Sequence, residues 1–162
     1  MTATLSVRVI GNPAPQGSKS AFVDATGRAR LLEGRTTGQR TKHGAWRAAV
    51  FAAFIEQYGP ASTPIAEPVA VTVVFWMPRP RTGPNSKPSV ILHAVNPDLD
   101  KLCRSTLDAI VSSGHLADDR YIVRLSAMKR YADERPPGAS IIVRPVGHHI
   151  VGTTEDGDPC PG

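Results

Sequence analysis

The amino-acid sequence predicts an α+β fold, a single domain in which two main helices pack on a mixed β-sheet. Segments with the two-residue periodicity of strands and two segments with the periodicity of amphipathic helices follow in the order strand, hairpin, helix, strand, helix, strand, strand. The chain of 162 residues is long enough for one ordinary domain with a substantial core and too short for two.

The N-terminal part is predicted to form a strand, a loop and a hairpin. Residues 4–10 alternate between apolar and polar side chains, which is typical of a half-buried strand. Gly11 and the prolines that follow it predict a loop. Segments 21–23 and 28–32 flank a turn of hairpin composition, and the connection after them is rich in basic residues.

The middle of the chain is predicted to hold a long helix and a central strand. Helix 41–58 has one apolar face that includes Trp46, and Gly59 with Pro60 ends it. Segment 69–76 is apolar on both sides, which is typical of a strand in the middle of a sheet that helices cover.

The last two strands are predicted at 121–131 and 140–144, joined as a hairpin by the sequence DERPPG. From Gly147 onward the composition turns to glycine, threonine, aspartate and proline. We therefore expect a domain over residues 1–146 and a disordered tail over residues 147–162.

The second helix is predicted from Leu99, and one of its faces carries charges that a folding requirement does not explain. Its apolar residues recur at helical spacing and predict one core-facing side. On the other side Asp100, Arg104 and Asp108 follow one another at intervals of one turn. These three residues form an acidic-basic-acidic ridge.

The start of this helix has two interpretations. Asn96 is predicted as its cap, with Pro97 at the first helical position. Asp98 and Asp100 would then offset the helix dipole and need no further role. The alternative is that the chain is still extended at Asp98, where it leaves the edge of a neighbouring strand. The carboxylates of Asp98 and Asp100 then lie on the same side.

A second acidic pair, Asp118 and Asp119, follows a helix-stopping Gly114 and precedes a strand. The sequence leaves open how far this pair lies from the start of the helix. If the helix runs antiparallel to the following strand, the connection returns Asp118 and Asp119 toward the far end of the helix. Carboxylates that gather repel one another, and their hard oxygens favour Mg²⁺ or Mn²⁺. Lys101 and Arg104, interleaved with the acids, suit an anionic substrate such as a phosphodiester.

Two motifs in this part of the chain point to a known family. The run D-L-D-K-L-x-R-x-x-L-D-A-I at 98–110, followed by G-x-x-x-D-D at 114–119, resembles the RusA family of Holliday junction resolvases. A weaker similarity lies in G-x-P-x-P-x-G-S-K at 11–19. The resemblance implies a RusA-like fold and a homodimer that uses Mg²⁺ to cut four-way DNA junctions in recombination and repair.

The resemblance also implies roles for individual residues. It makes Asp98, Asp100 and Asp119 the metal-binding catalytic carboxylates, with Asp118 beside them. It places Arg104 where many members have a catalytic lysine. A guanidinium stays protonated, so Arg104 can supply positive charge and hydrogen bonds but no proton.

The basic residues are predicted to contact DNA. The net charge of +5 and the pI near 9.6 favour an anionic partner. Loop 78–88 is polar, basic and without periodicity, and it leads into the acidic stretch. The predicted DNA contacts are Lys19, Arg28, Arg30, Arg79, Arg81, Lys87 and Lys101.

The cysteines and the hydropathy pattern indicate the compartment. Cys103 and Cys160 are too few for a disulfide framework or a cysteine-ligated metal site, and Cys103 is expected in the core. No segment approaches the roughly 20 apolar residues of a membrane span, and no secretory signal pattern is evident. We expect a reduced, cytoplasmic protein that does not contact membranes.

Two alternatives remain open from the sequence. One is a non-catalytic DNA-binding module whose acidic residues are helix caps and surface pairs. The other is a metal-dependent nuclease or phosphatase that acts on flaps or single strands with the same carboxylates.

Overall fold

The computed structural model describes residues 3–16, 19–23, 25–33 and 37–147. The strands are β1 (Leu5–Ile10), β2 (Lys19–Val23), β3 (Ala29–Glu33), β4 (Val69–Met77), β5 (Ile122–Tyr131) and β6 (Gly138–Pro145), and the helices are α1 (Thr37–Tyr58) and α2 (Leu99–Ser112). Short 3₁₀ turns lie at Pro84–Ser86 and Asp119–Tyr121. The α+β prediction is confirmed, as is the hairpin, which is formed by β2 and β3.

Strand β4 lies inside a four-stranded sheet of order β1-β6-β4-β5. It pairs in parallel with β5 and antiparallel with β6, while β6 pairs antiparallel with β1. The predicted hairpin between the last two strands is therefore wrong. A strand beyond a neighbour lies about 10 Å away, and the six-residue connection between β5 and β6 easily spans that distance at roughly 3.3 Å per residue.

Both helices pack on one face of this sheet. Trp46 and Phe54 from α1 and Leu102 and Ile110 from α2 are fully buried against the inward side chains of the strands. The Trp46 indole donates a hydrogen bond to Thr106 Oγ1 at 3.0 Å, so it also joins the two helices. The predicted core role of Trp46 is confirmed, and α1 begins four residues before the predicted boundary.

The other face of the sheet has no helix on it within the residues that the structure describes. Strand β4 is central, as predicted, and both helices cover the same side of it. Thr72 is exposed and Trp76 is half-buried on this open face.

All of the predicted tail except Gly147 lies outside the described residues, so its disorder stays a prediction. Across the described parts of the chain, neither helix is both long and apolar enough to cross a membrane.

Candidate active site

An open cavity of about 710 Å³ lies between α2 and β5. Its apolar part is formed by side chains from both elements. Its polar residues are Asp100, Arg104, Asp108 and Asp119. The ridge predicted on α2 therefore lines a cavity, and Asp119 joins it from a distant part of the sequence.

Asp119 reaches the cavity because the chain after α2 is held beside the segment that precedes β4. Gly114 has a φ of 79° and turns the chain out of the helix. Ile65 then accepts a hydrogen bond from the Ala117 amide at 2.9 Å and donates one to the His115 carbonyl at 2.9 Å. These contacts place the start of β5 next to the start of β4, and Asp119 lines the same cavity as Asp100 there.

Asp118 positions its neighbour and does not line the cavity. Its side chain accepts a hydrogen bond from the Arg120 amide at 2.9 Å and so caps the short 3₁₀ turn Asp119–Tyr121. This contact fixes the backbone from which Asp119 extends into the cavity.

The start of α2 is tied to the edge of β5. The His93 amide donates to the Lys129 carbonyl at 3.2 Å, and the Tyr131 amide donates to the Ile91 carbonyl at 3.0 Å. The Lys129 ammonium donates to the carbonyls of Val95 and Pro97 at 2.8 and 2.7 Å. The chain therefore runs extended along a strand edge until it enters the helix.

This extended segment changes the predicted helix start. Asp98, with φ −65° and ψ 140°, is the residue directly before the helix, and its carboxylate makes no capping hydrogen bond. The prediction of Asn96 as the cap and Pro97 as the first helical residue is wrong. The reason is Lys129, whose bonds to two carbonyls hold the backbone extended through Pro97.

Asp98 points to a basic partner rather than into the cavity. Its Oδ2 lies 2.6 Å from Lys101 Nζ, one turn along α2. The hydrogen bond and charge of Lys101 lower the pKa of Asp98, and Asp98 in turn raises the pKa of Lys101. Lys101 thus neutralises one of the predicted metal ligands.

The donor atoms at the cavity suit a hard divalent cation. Asp100 and Asp119 line it together with Asp108, and carboxylate oxygens are the ligands that Mg²⁺ and Mn²⁺ prefer. Over the described ranges, no three Asp, Glu, His or Cys side chains are grouped closely enough to hold a metal ion. The chemistry of the donors fits such an ion, whereas their grouping is looser than a complete site.

Cys103 forms part of the apolar floor of the cavity. It is 5% exposed, and burial raises the pKa of its thiol. A buried thiol with a raised pKa is a poor nucleophile, so Cys103 is a packing residue.

Arg79, predicted as a DNA contact, organises the loop in which it lies. Its guanidinium donates to both carboxylate oxygens of Asp133 and to the carbonyls of Asn85, Lys87 and Val90. These contacts use all five N–H groups of the guanidinium. A phosphate would have to displace one of these contacts, and the DNA contact of Arg79 stays a prediction.

The other predicted DNA contacts are distributed over the surface. Arg81 and Lys87 are exposed on the loop that Arg79 organises, and Arg28 is exposed next to the turn of the β2–β3 hairpin. Lys19 and Arg30 belong to β2 and β3, and their side chains lie outside the described residues.

Two residues of this region were missed as site residues from the sequence. Asp108 could have been included, because its one-turn spacing from Arg104 already placed it on the ridge. Lys129 had no local signal, since its role depends on the pairing of β5 with a segment more than thirty residues earlier.

A family model described as endodeoxyribonuclease RusA matches residues 21–144, well over half of the chain. The chain belongs to the RusA family. This RusA match includes the whole of α2, the turn at Asp119 and strand β5, so it covers every residue that lines the cavity. The predicted resemblance is confirmed, and the chain is an endodeoxyribonuclease of a family that acts on Holliday junctions. No curated protein matches the chain.

Proposed function

We propose that this RusA family member is a Mg²⁺-dependent endodeoxyribonuclease, with Mn²⁺ as a possible substitute, that resolves four-way DNA junctions in recombination and repair. The observation that carries the proposal is the convergence of Asp100, Arg104 and Asp119 on one open cavity. Two carboxylates and a permanent cation, brought together from separate elements, match the needs of phosphodiester hydrolysis.

The carboxylates of the site divide into direct and supporting roles. Asp98, Asp100 and Asp119 are the proposed metal ligands, and Asp118 holds the turn that presents Asp119. A bound Mg²⁺ would lower the pKa of a water and stabilise negative charge on the phosphate. For Asp98 this role requires its carboxylate to be shared with, or released from, Lys101.

Arg104 and Lys101 are the proposed cations of the site. Arg104 lies between Asp100 and Asp108 on the exposed side of α2, where it can donate hydrogen bonds to phosphate oxygens. It offers no proton to the leaving oxygen at any ordinary pH. Protonation of the leaving group is therefore left to another group of the site, such as Lys101 or a water molecule.

The test is cleavage of a labelled four-way junction, a flap and a duplex, each with and without Mg²⁺. We expect Mg²⁺-dependent cuts in the junction alone. The substitution Asp100→Asn should lower the cleavage rate by more than about a hundredfold, because loss of a supporting contact to a ligand already costs 10- to 100-fold. Junction binding should be retained or tightened, since the change removes a negative charge facing phosphate.

Glu56→Gln is the matched control, because Glu56 is an exposed acid on α1 away from the cavity. Undiminished Mg²⁺-dependent cutting by Asp100→Asn would refute the assignment. Binding without cutting by the unaltered protein would favour a non-catalytic DNA-binding module. Cutting of flaps with no preference for junctions would favour the second alternative.

We also propose that the protein acts in the cytoplasm as a homodimer. A four-way junction has paired strands related by symmetry, so two copies of one site can make two matched cuts. Cys103 is a free, buried thiol, which suits a reducing compartment.

A further inference from the structure

The open face of the four-stranded sheet collects arginine side chains from three of its strands. On β4 the residues Val71, Val73 and Phe75 point into the core, so the alternate residues lie on the open side. Residues of neighbouring strands that pair with these alternate positions, such as Ala70 and Trp76, lie on the same open side. Those arginines are Arg8 on β1, Arg124 and Arg130 on β5, and Arg144 on β6.

Trp76 lies at one end of this surface and binds guanidinium groups over its ring. Arg135, from the β5–β6 connection, lies 4.0 Å from the ring centroid, and Arg8 and Arg130 each lie 5.6 Å from it. We call the five arginines together with Trp76 the arginine face. Cation–π contacts hold the like charges together without neutralising them.

A hydrogen-bond network keeps part of this cluster in place. The Trp76 indole and Arg8 both donate to Ser140 Oγ at 3.2 Å, and Arg8 also donates to the Pro136 carbonyl at 2.9 Å. Partial burial and the nearby charge of Arg135 lower the pKa of Arg8.

The five arginines of the arginine face have no ion-pair partner in the described parts of the chain. Arg79 and Lys101 do have carboxylate partners, Asp133 and Asp98, whereas none of the five arginines has a carboxylate at ion-pair distance. The arginine face thus gathers five guanidinium groups that have no ion-pair partner in the described ranges. Like charges so arranged repel one another, and a polyanion that binds across them would relieve that repulsion.

Strand β5 connects this face to the candidate active site. Leu125 and Ala127 line the cavity on one side of the strand, while Arg124 and Arg130 lie on its other side. A DNA arm that leaves the cavity around the Asp119 end of β5 would therefore meet the arginine face. With strands about 4.8 Å apart, the four strands span about 14 Å, which is wide enough to follow several phosphates of a duplex.

We propose that the arginine face binds the sugar-phosphate backbone of one duplex arm of the branched DNA whose crossover lies at the cavity. This inference rests on the proposed function, because it takes branched DNA as the substrate. The contacts are sequence-independent, since guanidinium groups on a sheet reach phosphates and not base edges. The arginine face thereby adds an arm contact distinct from the residues that act on the cleaved phosphate.

The double substitution Arg124→Gln with Arg144→Gln tests this proposal. Both side chains are exposed, and neither is in the cavity. Binding is measured for two junctions, one with arms of about two helical turns and one with arms of less than a turn. We expect affinity for the long-armed junction to fall about tenfold at ~0.1 M salt, and the slope of log K against log salt to fall by about 1.8. Affinity for the short-armed junction should be unchanged.

Two further variants secure the interpretation. Arg124→Lys with Arg144→Lys keeps both charges, so it should bind the long-armed junction like the unaltered protein. Arg144→Gln alone should lower the salt slope by about 0.9 and serves if the double variant does not fold. Wild-type affinity and slope in the Gln variants would overturn the proposal, as would an equal loss on both junctions.

The outcome is separable from that of the proposed function. Cleavage of the short-armed junction with Mg²⁺ is measured in the same variants and should stay at the wild-type rate. If the unaltered protein does not cleave at all, the proposed function fails while the binding result still decides the role of the arginine face. Loss of binding to a poly-glutamate peptide, with unchanged DNA binding, would instead indicate an acidic protein partner and overturn the proposal.

Discussion

At the start of α2, an ion pair with Lys101 lowers the pKa of Asp98, a proposed metal ligand. Lys101 Nζ lies 2.6 Å from Asp98, and both side chains are close to half exposed. An exposed pair of this kind contributes little to stability, but it changes the protonation of its members. The pKa of Asp98 is lower in the folded protein than the ordinary aspartate value. Its ionised carboxylate therefore contributes to the free energy of unfolding above the ordinary aspartate pKa, and this contribution is lost as the pH falls through the lowered pKa.

The substitution Lys101→Ala should raise the pKa of Asp98 back toward the ordinary value of about 3.9. The measurement is a carboxyl ¹³C NMR titration of Asp98 in the wild type and the variant. Asp133 is the control, because its pKa is lowered by Arg79 and should not move. An unchanged Asp98 titration would show that Lys101 does not compensate it in solution.

At the scale of elements, the periodicity of the sequence was sufficient for most strands and helices but not for their arrangement. The ridge of Asp100, Arg104 and Asp108 could be predicted because it depends only on helix geometry. The separation of β5 from β6 could not, because a short connection after β5 fits either a hairpin or a step over β4. The role of Lys129 could not be predicted either, since it depends on which segment lies beside the β5 edge.

The close approach of β6 to β1 depends on Gly138. A Cβ at this position would overlap the backbone carbonyl of Val9, and neither strand can move without losing ladder hydrogen bonds. Gly138→Ala should therefore lower the free energy of unfolding by more than about 4 kcal/mol. Chemical denaturation followed by circular dichroism measures the change.

Gly44→Ala is the matched control for that substitution. Gly44 lies in α1, and nothing lies within 4 Å of a Cβ built there. Alanine should raise the free energy of unfolding by up to about 1 kcal/mol, because glycine is a poor helix former. Equal effects at the two positions would contradict the packing of β6 on β1.

At the scale of the whole molecule, we propose the uncovered first half of the β5 edge as the surface that joins two copies. Val123 is 63% exposed and Leu125 44% exposed on this edge strand, although proteins usually cover or charge such edges. A second copy placed there would also lie beside the cavity, which would bring the two proposed sites close to the symmetric strands of a junction.

The substitution Val123→Glu should convert the proposed dimer into a monomer, because it places a charge in the proposed interface. Light scattering coupled to gel filtration measures the molar mass. Thr72→Glu, an exposed change on a strand away from the edge, should leave the mass unchanged. A monomeric wild type, or a dimer that persists in Val123→Glu, would refute this interface.

The pairing of β1 with β6 has a consequence for synthesis of the chain. The contact between Arg8 and Ser140 joins positions separated by 132 residues, so the N-terminal strand waits for nearly the entire domain before it finds its neighbour. Contacts of such long range close slowly, because the intervening polypeptide must first lose its freedom. A nascent chain stalled on the ribosome before β6 emerges would carry both helices and yet stay open to proteases and chaperones.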